Sequence, residues 1–553
     1  MAGGLLNIVA VGNNNLILTG NPSKTFFKVT YSKYTNFGLQ KFRIDYSGLR
    51  ELRLTEPSVF SFKIPRYADL LMDTYLVVTL PDIWSPVYPP SNATNQRWIP
   101  YDFKWIKDLG THIIDEIEIT CGSFVLQKFS GEYLAAMVER DFSKEKKDLF
   151  YQMSGNVPEL NDPANSFGRT RTYPSASYTT NVNGAEPSIR SRQIYIPINN
   201  WFTLNSKCAF PLVSLQYNEL NIKVTLRSIQ DLFVVRDVLD TQYNHPYVRA
   251  DFTVDRFQMY RFLQTPQSGF IKAEDYSNKI STWNADVHLL STYCFLDEDE
   301  IQRFAKEDQV YLIKDIYQYN FENITGSRRV KIETNGMVSS WMWHLQRNDV
   351  KMRNEWSNYT NWPYDYLPYN IRLAPIEPLP GTEIDLSFGI GIHPGLINNL
   401  NSGITITGDF FSGNKKEILE SFGILLNGEY RENSLHRGIY DYVEKYTRTP
   451  GYAKDGIYCY NFCLNTDPHE YQPSGAINLS KFKNIELEVK TILPTIDMSN
   501  SVVDIVCDQS GVPIGIRKTN YQLYDYNYNL TLFEERYNVI SFIGGNCGLL
   551  YTR

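Results

Sequence analysis

The segment Ile485-Glu486-Leu487-Glu488-Val489 alternates apolar and charged side chains in strict period two. Such a strand has one dry face and one wet face. Upstream, Ile457–Leu464 is a short run rich in aromatic and other apolar side chains, and a polar, proline-containing break, Asn465–Ser474, separates the two. Two strands around a long polar connection are what a β-sandwich or jelly roll offers.

The rest of the chain meets that requirement twice. In the first half Phe60–Ile64 alternates, Thr74–Leu80 reads as a buried strand, and Ile113–Cys121 alternates before turning at Gly122. Ile194–Ile198 and Pro211–Leu226 close the set. In the second half Ala285–Phe295 is strand-like, Arg329–Glu333 alternates before an Asn335-Gly336 turn, and Val338–Leu345 is apolar. Ile418–Asn427 then leads to a turn at Gly428. Ile457–Leu464 stands where Ile194–Ile198 stood, and Ile485–Val489 where Ile222–Leu226 stood. Ile64 and Ile222 are about 158 residues apart, and Ile332 and Leu487 about 155. Two copies of one β-unit with different loop lengths account for this order. At 553 residues the chain exceeds one ordinary core. The expected architecture is therefore all-β: two tandem eight-stranded jelly rolls, a double jelly roll, with long loops and a few short connecting helices.

The corresponding division is an arm over 1–25, a first jelly roll over 26–240, a connector over 241–284 and a second jelly roll over 285–553. The apolar spacing predicts a helix over Tyr133–Lys147. Asp297 reads as the N-cap of a second helix, with Glu300 completing a capping box. The longest loops are Pro81–Phe103, Gly155–Arg190, Gln346–Asp409 and Glu429–Asp455, two from each half at matching places. A true repeat would gather all four at one end of the rolls.

A net charge of -7 argues against a general nucleic-acid binder, whose footprint is a basic excess. Seven cysteines (121, 208, 294, 459, 463, 507 and 547) are odd in number and scattered, which suits a reducing compartment better than a disulfide framework. No apolar run approaches a membrane span, and MAGGLLNIVAVG lacks the basic start of a signal peptide.

The search for chemistry is mostly negative. No Walker A loop, HExxH, GxSxG or EF-hand loop is present. Gly389-Ile390-Gly391 with Gly395 lacks dinucleotide spacing and reads as a turn. Cys459-x3-Cys463 is not a zinc spacing and reads as packed core thiols. His393, His469 and the other five histidines lack a second ligand at a useful spacing. The acids Asp297–Glu300 suit a helix N-terminus without catalysis. No catalytic, cofactor or metal residue is expected. Five sequons mark Asn92, Asn323, Asn358, Asn478 and Asn529 as glycosylation candidates. The competing function is a carbohydrate-binding or glycoside-hydrolysing β-sandwich, with Trp84, Trp98, Trp356 and Trp362 as sugar platforms and a facing carboxylate pair.

Several blocks also share a wording. MAGGL and TGNPxxTFFKxxYxxYTNF (Thr19–Phe37) come first, then Leu109-Gly110 with Glu116–Gly122, and FPLVSLQYNEL (Phe210–Leu220). STYCFLDEDEIQRFA (Ser291–Ala305), LNGEYR (Leu426–Arg431), GIYxYxF and PSGAxNxS follow. This ordered series resembles the major capsid proteins of large double-stranded DNA viruses of eukaryotes, across nearly the whole chain. Ala476-Ile477 in the last box and the long 346–409 insertion depart from the pattern. The resemblance implies a double jelly-roll subunit that forms a homotrimer, a pseudo-hexagonal capsomer tiling an icosahedral virion shell. It further implies minor capsid and penton proteins as partners, proximity to an internal viral membrane, no direct nucleic-acid binding, assembly in the host cytoplasm and the four loops on the outer surface. Glycans in some family members lie outside the sequon motif.

Overall fold

The computed structural model describes the chain apart from residues 1–3, 6–11, 13–15, 49–50, 89–98, 175, 177–185, 238–246, 266–275, 277, 363–364, 366–414, 495–503, 508–512, 518–525 and 552–553. The first roll is built from β1 (Phe37–Ile44), β2 (Ser58–Lys63), β3 (Leu70–Leu80), β4 (Ile114–Cys121), β5 (Phe124–Ser130), β6 (Arg192–Pro197), β7 (Leu220–Leu226) and β8 (His288–Leu296). One sheet runs β1-β8-β3-β6 and the other β2-β7-β4-β5, all antiparallel. That interleaving of early with late strands is the jelly roll.

The second roll repeats it strand for strand. Its members are β9 (Gln309–Phe321), β10 (Ser327–Lys331), β11 (Met337–Arg347), β12 (Leu419–Leu426), β13 (Glu429–His436), β14 (Ile457–Asn461), β15 (Ile485–Thr491) and β16 (Tyr528–Ile543). Its sheets run β9-β16-β11-β14 and β10-β15-β12-β13. The sequence pairs Ile113–Cys121 with Ile418–Asn427 and Ile222–Leu226 with Ile485–Val489 fall on equivalent strands. Period two is the reason: β7 and β15 both alternate buried with more exposed residues, and Ile485, Leu487 and Val489 are at most 2% exposed.

Four sequence expectations are corrected. Ala285–Phe295 does not open the second roll, because β8 lies between β1 and β3 and is the first roll's closing strand, as β16 is the second's. Its apolar run suits a central strand buried on both faces. The connector is no separate piece: Tyr247–Arg249 joins a three-stranded sheet with Phe233–Arg236 and Phe103–Trp105, and Phe257 and Met259 enter the first core. The helix over 133–147 is two, α1 (Gly131–Asp141) and α2 (Lys144–Ser154), because Ser143 caps the second through Lys146 N–H. Asp297 stands at the N-cap of α3 (Glu298–Lys306), but its side chain accepts no capping bond.

All four expected loops also contain regular structure: Pro81–Phe103 holds the short pair Val87–Tyr88 and Ile99–Pro100, and Gln346–Asp409 a helical turn at Val350–Arg353. Gly155–Arg190 holds a helical turn at Pro158–Asn161, and Glu429–Asp455 holds β13 and helical turns over Ile439–Arg448. Most of Gln346–Asp409, including the 389–395 glycines and His393, lies outside the described residues.

The sheet β9-β16-β11-β14 positions the molecule's most unusual chemistry because it is covered on both faces. Trp341, Trp343, Leu530 and Leu532 point into the second roll's core, where Trp343 stacks on Phe422 at 4.2 Å. Met342, Phe533, Ile540 and Phe542 belong instead to the apolar cluster continuous with the first roll. A strand dry on both sides loses simple alternation, and β11 is buried at nearly every position.

Candidate functional site: the seam between the rolls

Helix α1 and β5 of the first roll press on the second roll's doubly covered sheet. Gln127 Nε2 donates to Lys314 O at 3.0 Å, Ser130 Oγ to Gln318 Oε1 at 2.8 Å, and the Tyr133 ring packs edge-on against Phe533 at 5.8 Å. At the centre, Arg140 is 1% exposed and bridges Asp141 (2.6 Å) and Glu535 (2.8 Å). Ser340 Oγ and Tyr133 O–H donate to Glu535, at 2.8 and 3.0 Å, and Thr466 Oγ1 donates to Asp141 at 2.6 Å. Burial alone would raise Glu535's pKa, but Arg140 and Lys314 outweigh it and hold the group ionised below its ordinary value. The carboxylates therefore serve as fixed partners of one buried cation.

The adjacent Glu534 takes no part in this network. Consecutive side chains of a strand face opposite ways, so Glu534 enters the second core, accepts from Trp341 Nε1 at 2.7 Å and pairs with Arg536. The two neighbouring carboxylates thus occupy different faces and cannot flank one substrate.

A second polar cluster lies near the long loops. Ser357 Oγ donates to Asp108 at 2.6 Å and lies 2.9 Å from His112 Nε2. Lys454 Nζ donates to Ser357 O at 3.2 Å and faces Asp108 at 3.6 Å. The residue types are those of a hydrolytic triad, but the direction is reversed. Ser357 gives its only proton to Asp108, so His112 must donate to Ser357 and cannot serve as its base. Burial holds His112 near pKa 4, against the pull of Asp108. His344 is held near 4 by burial as well; both its nitrogens lack partners, and it lies against Tyr359 at 4.4 Å.

Beside it, Lys147 pairs with Glu139 across 3.3 Å and donates to Tyr452 O. Gly451 has to be glycine for room alone, since a Cβ there would sit 2.4 Å from Phe142 O and 2.8 Å from Arg140 O. Through these contacts segments from both halves meet: 144–154, 350–362 and 439–455, with Asp108 just beyond the loop ending at Phe103.

The expected site residues fare differently. Asn323 and Asn478 are exposed, while Asn529 is partly buried and accepts the Asn323 N–H at 3.2 Å. Asn358 differs: it is 2% exposed, its Nδ2 donates to Trp362 O, and its Oδ1 holds Thr360, so in the folded chain this side chain is enclosed. Asn92 and Trp98 lie outside the described residues. Among the described residues the tryptophan platforms do not form either. Trp84 is half-buried, Arg227 covers the Trp356 ring at 4.0 Å, Trp356 Nε1 is spent on Asp231 O, and Lys416 lies over Trp362 at 5.6 Å. Cys459 and Cys463 are buried, and among the described residues no three His, Cys, Asp or Glu side chains are grouped to hold a metal. No helix among them is long and apolar enough to cross a membrane.

Comparison with known proteins agrees with this architecture. A family model described as "Major capsid protein N-terminus" matches residues 25–297, and one described as "Large eukaryotic DNA virus major capsid protein" matches 300–548. The chain belongs to the major capsid proteins of large eukaryotic DNA viruses. The junction between the two matches falls at the start of α3, just after the first roll closes with β8. Among capsid relatives, the major capsid protein of Phaeocystis pouchetii virus is 25% identical with all of both chains covered. That of Paramecium bursaria Chlorella virus 1 is 23% identical, again over all of both. Two solved capsid proteins share the fold. The Chlorella virus VP54 structure gives a TM-score of 0.60 at 19% identity, covering 96% of this chain and all of that one. The Faustovirus major capsid protein gives 0.58 at 11%, covering 98% of each.

Proposed function

We propose that the chain is a structural subunit without catalytic activity that trimerises into pseudo-hexagonal capsomers and tiles an icosahedral virion shell. The repeated roll carries this reading: three copies of two similar rolls present six similar walls, which is what a hexagonal array needs. The boundary between the rolls is set at the β8–α3 junction. Neighbouring capsomers, minor capsid and penton proteins are its partners, with an internal membrane nearby. Sedimentation should show a trimer with an interface on the order of 2,000 Å² or more; a stable monomer at micromolar concentration would overturn the reading.

Assembly in the host cytoplasm is supported by the cysteines, since the six described ones are free and buried. Burial raises Cys208 to about 11 and Cys459 to about 12, and Cys547 is raised chiefly by the bond it donates to Cys121. Native particles should therefore react slowly with thiol reagents and keep their integrity in reductant. Disassembly by reductant alone would contradict this. Among the described sequons the accessible Asn323 and Asn478 are the acceptors, which intact-protein mass measurement of particles will read.

A further inference from the structure

Residues 22–36, between the turn at Asn21 and β1, form no strand of their own and, apart from a turn at Phe26-Phe27, have almost nothing of their own chain against them. Phe26, Phe27, Val29, Tyr31 and Tyr34 are 82–102% exposed. Among the described residues no backbone–backbone hydrogen bond ties this segment down, Phe27 N–H donates only to the nearby Thr25 Oγ1, and its one long-range polar contact runs from Thr35 Oγ1 to Glu300 at 2.9 Å. Five large apolar side chains in one short stretch, all in water, far exceed the scattered singles of an ordinary surface. The sequence is also that of a strand: Phe27, Val29 and Tyr31 alternate with Lys28, Thr30 and Ser32, and all but lysine and serine are types that favour extended backbone. The segment leads directly into β1, which pairs with β8 on one side and ends its sheet on the other.

Charge identifies the occupant. Residues 1–44 hold five basic side chains (Lys24, Lys28, Lys33, Lys41 and Arg43) and no Asp or Glu, although the whole chain is at -7. The remaining 509 residues therefore sum to -12. A cationic, apolar strand and an acidic body on the same molecule are complementary between copies, and the strand's unpaired amides and carbonyls can complete a sheet edge. We propose that residues 22–36 dock as an added strand on a second copy of this chain, tying neighbouring subunits together. This rests on the subunit reading above and names the segment that carries one of its contacts.

The test compares the full chain with two variants, K24E/K28E/K33E and F27S/V29S/Y31S. These side chains are free in the single subunit, so circular dichroism and thermal midpoint should stay unchanged. Sedimentation over a concentration series should show association weakened at least tenfold in both variants. Hydrogen exchange of amides 25–36 in the associated wild type should slow at least tenfold. Unchanged association in both variants with fast-exchanging arm amides would overturn the arm's role while leaving the subunit reading in place. Protection that appears only with phosphatidylserine vesicles would assign the segment to a lipid surface and likewise overturn it. A wild-type chain that stays monomeric removes the subunit reading and the arm proposal together.

Discussion

Arg140 shows how a fully buried charge can be tolerated. Its guanidinium meets two carboxylates and the Ser340 hydroxyl inside the seam, so every partner depends on it. Arg140→Met would leave Asp141 and Glu535 facing each other with only Lys314, 3.9 Å from Glu535, as a nearby cation. Loss of one member of such a group typically costs about 3–5 kcal/mol, and denaturant unfolding should register a loss of that size. The two buried histidines act in the opposite sense. Each is held near pKa 4, against about 6.5 in the unfolded chain. A depressed histidine pKa means that the unfolded chain binds the proton more readily. Stability is then complete above about pH 6.5 and falls as pH drops toward 4, by about 1.4 kcal/mol per unit per histidine. Asp108, Glu132, Arg227 and Lys454 surround His112, and Glu132, Lys454 and Tyr359 attend His344. Asp108 and Glu132 are themselves held low, so they add to acid lability only below the carboxylate range. His344→Phe removes one titration and no hydrogen bond. It should stabilise the protein at pH 5 by about 2 kcal/mol relative to wild type and much less at pH 7.5. An equal shift at both pH values would show that packing, rather than protonation, is responsible.

At the scale of elements, the strands with one wet face were legible because period two is a direct imprint of a half-buried sheet. β2, β4 and β15 were found this way, and the matched spacing revealed the repeat. β8 was placed in the wrong roll because strand order in a jelly roll is non-local: the last strand pairs with the first and third, and nothing in His288–Leu296 encodes its partner. The seam was almost invisible. Its one sequence trace is Glu534-Glu535-Arg536, three consecutive charges inside the otherwise uncharged run Tyr528–Ile543, which does not show that the partners lie on different elements. Arg140 sat on a helix read as a connector, and Ser357 in an insertion without periodicity. Gly451 belongs to the same category, since only the fold reveals the carbonyls above it. Gly451→Ala must push 439–455 away from α1, at about 1–3 kcal/mol. Hydrogen exchange should then quicken around Phe142 and Tyr452 while β7 and β15 keep wild-type protection. Uniform loss of protection would mean that the two rolls do not loosen separately.

For the whole molecule, the question is which end of the paired rolls faces outward. The seam contacts bring segments 144–154, 350–362 and 439–455 together with Asp108, so elements at matching places in the two rolls share one region. That is what a repeated unit standing side by side with its copy produces, because equivalent connections emerge at equivalent ends. The connections from this region are long, polar and rich in Tyr and Asn, which suits a surface bathed in solvent rather than a packed contact. The arm has the opposite character: its apolar and basic side chains need a partner. An outward loop end and a covered arm are therefore one arrangement, not two. Limited proteolysis of intact particles should cut within 81–103, 155–190 and 346–409 and spare residues 1–36. The 429–455 connection should resist, because Tyr440, Asp441 and Lys445 are buried. Free subunits, by contrast, should be cut first within residues 22–36, since almost nothing of their own chain packs against that segment. Cleavage of particles confined to the arm, with the loops intact, would invert this orientation.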